Sequence, residues 1–196
     1  MRAVPEQIAT QILEAAELFA VRGLDDTKME DIAAATGVPK ATLYYYFDGK
    51  ADILAFLFHA VLDEVAVAVT AAATGPGLAA DRLRRVVVAH LEVFRRMPMA
   101  SRALQFDLGR AARVPELATR AEASFVAPVR ELLAQGARDG SLRPVPHPAI
   151  TATAIMGAVT TTGMNVLAMD SKRSVRMVAD VVVALVLDGL HPEGTV

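Results

Sequence analysis

Three consecutive tyrosines, Tyr44-Tyr45-Tyr46, stand between Lys40 and Lys50 in a stretch whose only carboxylate is Asp48. A phenol donates a hydrogen bond to phosphate while its ring packs on sugar, an ammonium pairs with phosphate, and a threonine hydroxyl reaches base edges. The apolar positions around them, Val38, Leu43 and Phe47, have the spacing of one buried helical face. With those side chains inward, Lys40, Ala41, Thr42, Tyr44 and Tyr45 point outward on a helix barely two turns long. Two exposed tyrosines on so short a helix fit poorly as solvated surface and fit well beside a nucleic-acid backbone.

The preceding residues position that helix. Thr27-Lys28-Met29-Glu30 reads as a capping box, with the Thr27 hydroxyl and the Glu30 carboxylate each satisfying a free amide. A short helix then runs from about Met29 to Ala35, with Ile32 and Ala33 facing the same core, and Gly37 closes it. A capped short helix, a glycine turn and a second short helix make a helix-turn-helix.

The run Gly23-Leu24-Asp25-Asp26-Thr27-Lys28-Met29-Glu30-Asp31-Ile32-Ala33-Ala34-Ala35-Thr36-Gly37-Val38-Pro39-Lys40-Ala41-Thr42-Leu43-Tyr44-Tyr45-Tyr46-Phe47-Asp48-Gly49-Lys50 resembles the DNA-binding segment of the TetR (tetracycline repressor) family. Upstream, Ile12-Leu13-Glu14-Ala15-Ala16-Glu17-Leu18-Phe19 is similar to that family's first helix. The resemblance implies an all-helical homodimer. Residues 1–48 would form a three-helix DNA-binding domain, and residues 49–196 a helical ligand-binding and dimerisation domain. It implies a ligand-responsive regulator, a repressor on a palindromic double-stranded operator, released by a small apolar or amphipathic effector, with no cofactor. Lys40, Ala41 and Thr42 would face the major groove, while Tyr44, Tyr45, Lys50 and Thr27 would meet phosphates. Lys28 stands where the family has Ser or Thr, and reads either as an added phosphate contact or as a solvated charge. Tyr46 replaces a frequent histidine and Pro39 a frequent N-cap serine.

Apolar residues recur at helical spacing along the whole chain, which predicts about nine helices and an all-α fold. The first carries Ile8, Ile12, Ala15 and Phe19 and stops at Gly23. The fourth runs from Gly49-Lys50 to about Ala73, with Asp52 in its first turn, and Gly75-Pro76-Gly77 ends it. The fifth spans about Ala80 to Met97, the sixth about Met99 to Ala112, and the seventh about Glu116 to Asp139 with a kink expected at Pro128. The eighth covers about Pro148 to Met169, and a ninth, capped by Asp170 or Ser171, ends near Asp188-Gly189.

Charge is distributed unevenly. Residues 1–50 hold five basic side chains against eight acidic ones, whereas a nucleic-acid domain is normally basic. The acids lie mainly on the first two helices, so non-specific binding is expected to be weak and affinity to rely on two half-sites and helix N-termini. Eight arginines fall within Asp81–Arg113 against three acids, either a solvated face or an attraction for an anionic ligand.

On the fifth helix, Leu83, Val87, His90, Phe94 and Met97 form one stripe, so His90 faces inward, as a core histidine or as a polar handle in a pocket. Methionines and aromatics nearby serve either as core or as an adaptable cavity wall. The candidate effector contacts are Val87, His90, Leu91, Phe94, Met97, Phe106, Phe125, Met156, Thr160 and Met164. The last two helices carry Ile155, Val159 and Val166, then Val178, Val181, Val182, Leu185 and Val186, expected to pair with a second copy in a four-helix interface. Gly157 and Gly163 would permit close contact there, and Asn165 belongs either to that interface or to the pocket.

The remaining chemistry is limited. The chain has no cysteine, which excludes disulfides, thiolate metal sites and cysteine nucleophiles. Its four histidines show no metal-ligand spacing, and no Ser/His/Asp order, paired-carboxylate site or phosphate loop supports an enzyme. The main rival reading is a helical enzyme or ligand carrier that does not read DNA. Pro144–Met169 lacks charged residues, but five threonines and three prolines argue against a membrane span. With no apolar leader in Met1–Gln11, a cytoplasmic protein is expected.

Overall fold

The computed structural model describes residues 3–106, 115–167 and 172–188. Among these residues there are nine helices and no strand, so the fold is all-α as the periodicity predicts. They fall into two compact units, Met1–Val61 with Met99–Ala118, and Leu62–Pro98 with Thr119–Val196.

In the first unit, α1 joins Glu6–Ile12, a 3-10 turn at Leu13–Ala15, and Ala16–Asp26, and it breaks at Gly23. Ile12, Ala15, Ala16, Phe19 and Ala20 bury one side of it. Helix α2 is Met29–Thr36 and α3 is Lys40–Tyr46. Helix α4, Lys50–Thr74, whose residues from Leu62 onward belong to the second unit, is long and apolar enough to cross a membrane by length and composition. Its Ile53, Leu57, Val61, Val65 and Val69 are instead buried at four-residue intervals, the pattern of a core helix. The Asp52 carboxylate, expected only to oppose the dipole, also accepts the Asp48 amide at 3.3 Å. Helix α6, Pro98–Phe106, begins directly after Met97. The expected extension of this helix to Ala112 lies outside the described residues.

In the second unit, α5 is Ala79–Arg96, with Leu83, Val86, Val87, His90, Leu91, Val93 and Phe94 buried. Its N-terminus has no local side-chain cap. The Asp139 carboxylate accepts the Ala79 amide at 3.0 Å and the Ser141 hydroxyl accepts the Ala80 amide at 3.2 Å, so α5 is capped from across the fold.

Helix α7 joins Pro115–Ala121, a π-helical turn at Glu122–Val126, and Ala127–Asp139. The kink expected at Pro128 is replaced by this wider turn just before it. Val126 and Ala127 keep helical dihedrals, and Pro128 falls in the first turn of the following segment, where its missing amide costs least. Helix α8 joins Pro148–Thr162 and a second π turn, Gly163–Leu167. Helix α9 is Val175–Asp188 and packs chiefly on α5. The expected caps Asp170 and Ser171 lie outside the described residues. Ser174 takes the capping role, its hydroxyl accepting the Met177 amide at 3.4 Å.

Candidate nucleic-acid interface and effector site

The helix-turn-helix is built around a few fully buried side chains. Ile32 on α2 and Val38, Leu43 and Phe47 around α3 are all inside, and the Phe47 ring meets Phe56 of α4 edge-on at 5.6 Å. Gly37 has φ of 66°, the left-handed conformation that lets α2 end in one residue. Thr36, which no motif in the sequence marks, locks this turn. Its buried hydroxyl donates to the Ile32 carbonyl at 2.8 Å and accepts the Val38 amide at 3.2 Å.

That frame aims the expected reading residues outward. Tyr44 is 51% and Tyr45 59% exposed, Lys40 and Ala41 are exposed, and Thr42 is half-buried. Tyr46 is half-buried, its ring stacked edge-on against Tyr45 at 4.9 Å. The Lys40 ammonium pairs with Glu30 and lies 5.8 Å above the Tyr44 ring centroid. Hydrogen bonding to Lys40 holds the Glu30 carboxyl below the usual carboxylate range, and the same bond holds Lys40 above the usual lysine value. Lys50 donates to the Asp25 carbonyl at 2.8 Å.

The capping box is displaced by one residue. Lys28, which is exposed, occupies the N-cap position, and Asp31 accepts its amide at 3.3 Å. Thr27 is 0% exposed and gives its hydroxyl to the Gly23 carbonyl at 2.6 Å, so in this conformation it does not present an accessible phosphate contact. Glu30, freed from capping, is available to Lys40. Arg22 pairs with Asp31 at 3.2 Å, engaging a second cation of this unit with an acid of α2.

Among the expected effector contacts, α5 places Val87, His90, Leu91 and Phe94 together and buried, and Phe125 and Met164 are buried with them in the same unit. His90 is 4% exposed, with its ring 4.8 Å from both Phe94 and Phe125. Burial lowers its pKa to about 3, so the imidazole is neutral, and its Nδ1 has no hydrogen-bond partner. Met97, Met156 and Thr160 are half-buried. The side chain of Phe106 lies outside the described residues. Several arginines expected on a charged face are engaged locally. Arg82 donates to the Ala73 carbonyl at 3.2 Å and to Gln135 at 2.6 Å, Arg85 bonds to the Pro76 carbonyl, and Arg95 and Arg96 pair with Glu92 and Glu64.

The expected dimer face is out of phase with the one the fold exposes. Ile155, Val159, Val178 and Val182 are buried within the protomer, because α8 and α9 turn those positions inward against their own unit. Val166 and Val186 are half-buried, and of the expected positions Val181 and Leu185, 66% and 72% exposed, stand free. The outward apolar positions of α9 are Met177, Val181 and Leu185, one helical turn apart. On α8 the exposed positions are Ala149, Ile150, Thr153, Ala154, Gly157, Thr161 and Asn165, mostly small side chains. Gly157 faces open space, whereas Gly163 is buried against Leu91 and Phe94, where a Cβ would overlap the Phe94 ring. Gly163 therefore serves packing within the protomer. Asn165 is exposed and its amide bonds back to the Thr161 carbonyl at 2.9 Å.

Comparison with known proteins agrees with both parts of the chain. Residues 12–56 match the family described as bacterial regulatory proteins, tetR family, and residues 76–165 match the tetracyclin repressor-like C-terminal domain. Over 57 residues the chain is 40% identical to the HTH-type transcriptional repressor KstR2 of Rhodococcus jostii, a match spanning 29% of this chain and 28% of that protein's length. The fold is shared with the TetR family regulator PfmR of Thermus thermophilus (TM-score 0.80, 23% identity, 93% of this chain and 99% of that one). It is shared also with the ketosteroid transcriptional regulator KstR2 of Mycobacterium tuberculosis (TM-score 0.80, 22% identity, 97% and 98%). With one match on the helix-turn-helix and the other on the helical body, the chain belongs to the TetR family of bacterial regulatory proteins.

Proposed function

We propose that this chain is a cytoplasmic, homodimeric, ligand-responsive repressor that binds a palindromic DNA operator and is released by a small apolar or amphipathic effector. The observation that carries the reading is α3. Its Leu43 is buried while Lys40, Ala41, Thr42, Tyr44 and Tyr45 are presented around it. A helix of this length enters the major groove at its N-terminal end, so Lys40, Ala41 and Thr42 meet base edges and Tyr44 and Tyr45 meet flanking phosphates. Lys28 and Lys50 add phosphate contacts at the margins. Residues 1–48 thus form the reading part and residues 49–196 the ligand-binding and dimerising part.

Two copies are needed because one short helix reads only a half-site, and the fixed spacing of two such helices selects adjacent major grooves. The outward apolar side chains Met177, Val181 and Leu185, beside the small residues of α8, supply a face for the second copy. An effector held by Val87, Leu91, Phe94, Phe125 and Met164 acts on DNA binding only by favouring one dimer spacing over the other. The reading assigns no catalytic step and no cofactor.

Selection of bound fragments from a random double-stranded DNA pool tests this. The expected outcome is enrichment of an inverted repeat with half-sites about one or more helical turns apart. Recovery of no common sequence would favour a ligand carrier that does not read DNA.

A further inference from the structure

The buried side of α5 is apolar with one exception. His90 is the only ionisable side chain among the described residues that is buried, and a leucine or phenylalanine would fill its place without desolvating a ring nitrogen. Its Nδ1 is enclosed and has no protein partner. The Phe94 and Phe125 rings lie against the imidazole, each 4.8 Å away centroid to centroid and tilted at 37° and 63°.

The surrounding backbone is unusual at the same place. Phe125 comes from one π turn, Glu122–Val126, and Met164 from the other, Gly163–Leu167, whose Gly163 rests on Leu91 and Phe94. Single π turns inside α-helices concentrate at functional sites, because each carries one residue more than the regular helix needs. Two of them converge on the stretch of α5 that holds the unpartnered nitrogen. The polar side chains adjoining in sequence are otherwise engaged: the Ser124 hydroxyl, next to Phe125, donates to the Ala121 carbonyl at 3.1 Å, and Arg82, two turns back on α5, is held by Ala73 and Gln135.

We propose that His90 is the polar selectivity residue of the effector site, its Nδ1 hydrogen-bonding an uncharged oxygen, a hydroxyl or carbonyl, on an otherwise apolar molecule. This rests on the effector reading given above. Burial disfavours the charged ring and holds its pKa at about 3, so an ion pair with a carboxylate would first require protonating a buried imidazole. A neutral ring nitrogen is a donor in one tautomer and an acceptor in the other, and a hydroxyl satisfies either. A carboxylate of the same skeleton would have to leave water and either stay unpaired or draw a proton onto the buried ring, and so binds more weakly. The site therefore separates alcohols and ketones from the corresponding acids.

Calorimetric titration of the full-length protein with 1-decanol, 2-decanone and decanoate tests the inference, alongside NMR of ring-15N-labelled histidine. The alcohol or the ketone should bind at least about tenfold tighter than decanoate, and its addition should move the His90 Nδ1 resonance, assigned by its loss in His90→Leu. In His90→Leu that preference should fall severalfold. His90→Asn, which restores a polar atom close to the same point, should recover part of it. If these ligands bind but decanoate binds equally well, or His90→Leu leaves the preference intact, the role of His90 is overturned while the effector reading stands. If none binds, the apolar-effector reading fails and this inference falls with it.

Discussion

Glu30, in the first turn of α2, holds the ammonium of Lys40, the first residue of α3, so the start of the recognition helix is tied to an acid of the neighbouring helix. Both side chains are largely exposed, at 63% and 45%, and the pair lies on the surface that would approach DNA. A phosphate or a guanine edge must compete with Glu30 for Lys40. Glu30→Gln removes that competition and one negative charge beside the groove. DNA affinity should rise about threefold to tenfold at low salt, more for the operator than for random sequences because Lys40 is freed for a base edge, and the gain should shrink as salt screens it. Fluorescence anisotropy across a sodium chloride series measures this. Unchanged affinity at low salt would show that Lys40 stays clear of DNA.

His90 makes stability depend on pH. Its folded pKa, about 3, lies below the ordinary 6.5 because burial disfavours the charged ring. Between those values the unfolded chain binds a proton that the folded chain does not, so stability rises with pH and is lost as pH falls below 6.5. The slope attributable to this group approaches about 1.4 kcal/mol per pH unit. Urea denaturation of the wild type should therefore lose about 1.2 kcal/mol more than His90→Leu between pH 7.0 and 5.5. Equal losses in the two proteins would mean that the ring accepts its proton without unfolding.

The outward face of α9 separates assembly from folding. Val181 and Leu185 are exposed at 66% and 72%, whereas Val182 between them is buried. Val181→Glu with Leu185→Glu should leave each protomer folded and yield monomers by sedimentation velocity. Val182→Glu should instead lower stability by about 3 kcal/mol or more, since it buries a charge without a partner. A dimer that survives the double substitution would place the interface on another surface.

How much of this was legible in the sequence differs between the two parts of the chain. On α3 the apolar positions Val38, Leu43 and Phe47 admit one orientation only, so exposure of Tyr44 and Tyr45 followed directly. On α8 and α9 nearly every position is apolar or small. The period then fails to mark an inner face: of the positions expected outward on α9, Val181 and Leu185 occupy the exposed side with Met177, while Val178 and Val182 are buried. The shift of the α2 cap from Thr27 to Lys28 has a similar origin, because Asp31 and Glu30 are adjacent and either can serve as the third helical residue. Long-range groups were out of reach. Nothing near Ala79 in sequence announces that Asp139 caps it, and nothing around Gly163 signals that Phe94 packs on its Cα. Pro128 gave a true signal of irregularity in α7, but not that the helix would absorb it as a π turn.

The most direct measurement is the salt dependence and sequence preference of DNA binding for Thr42→Ala and Lys50→Ala beside the wild type. Thr42 sits half-buried on the presented side of α3, and Lys50, resting on the Asp25 carbonyl at 2.8 Å, begins α4. Lys50→Ala should weaken every sequence to a similar degree and flatten the slope of log affinity against log salt by about one unit. Thr42→Ala should leave that slope unchanged and alter preference at one base position of each half-site, by about 1–3 kcal/mol. If Lys50→Ala changed base preference with its salt slope intact, or Thr42→Ala left preference untouched, α3 would not be the reading element and the account would be contradicted.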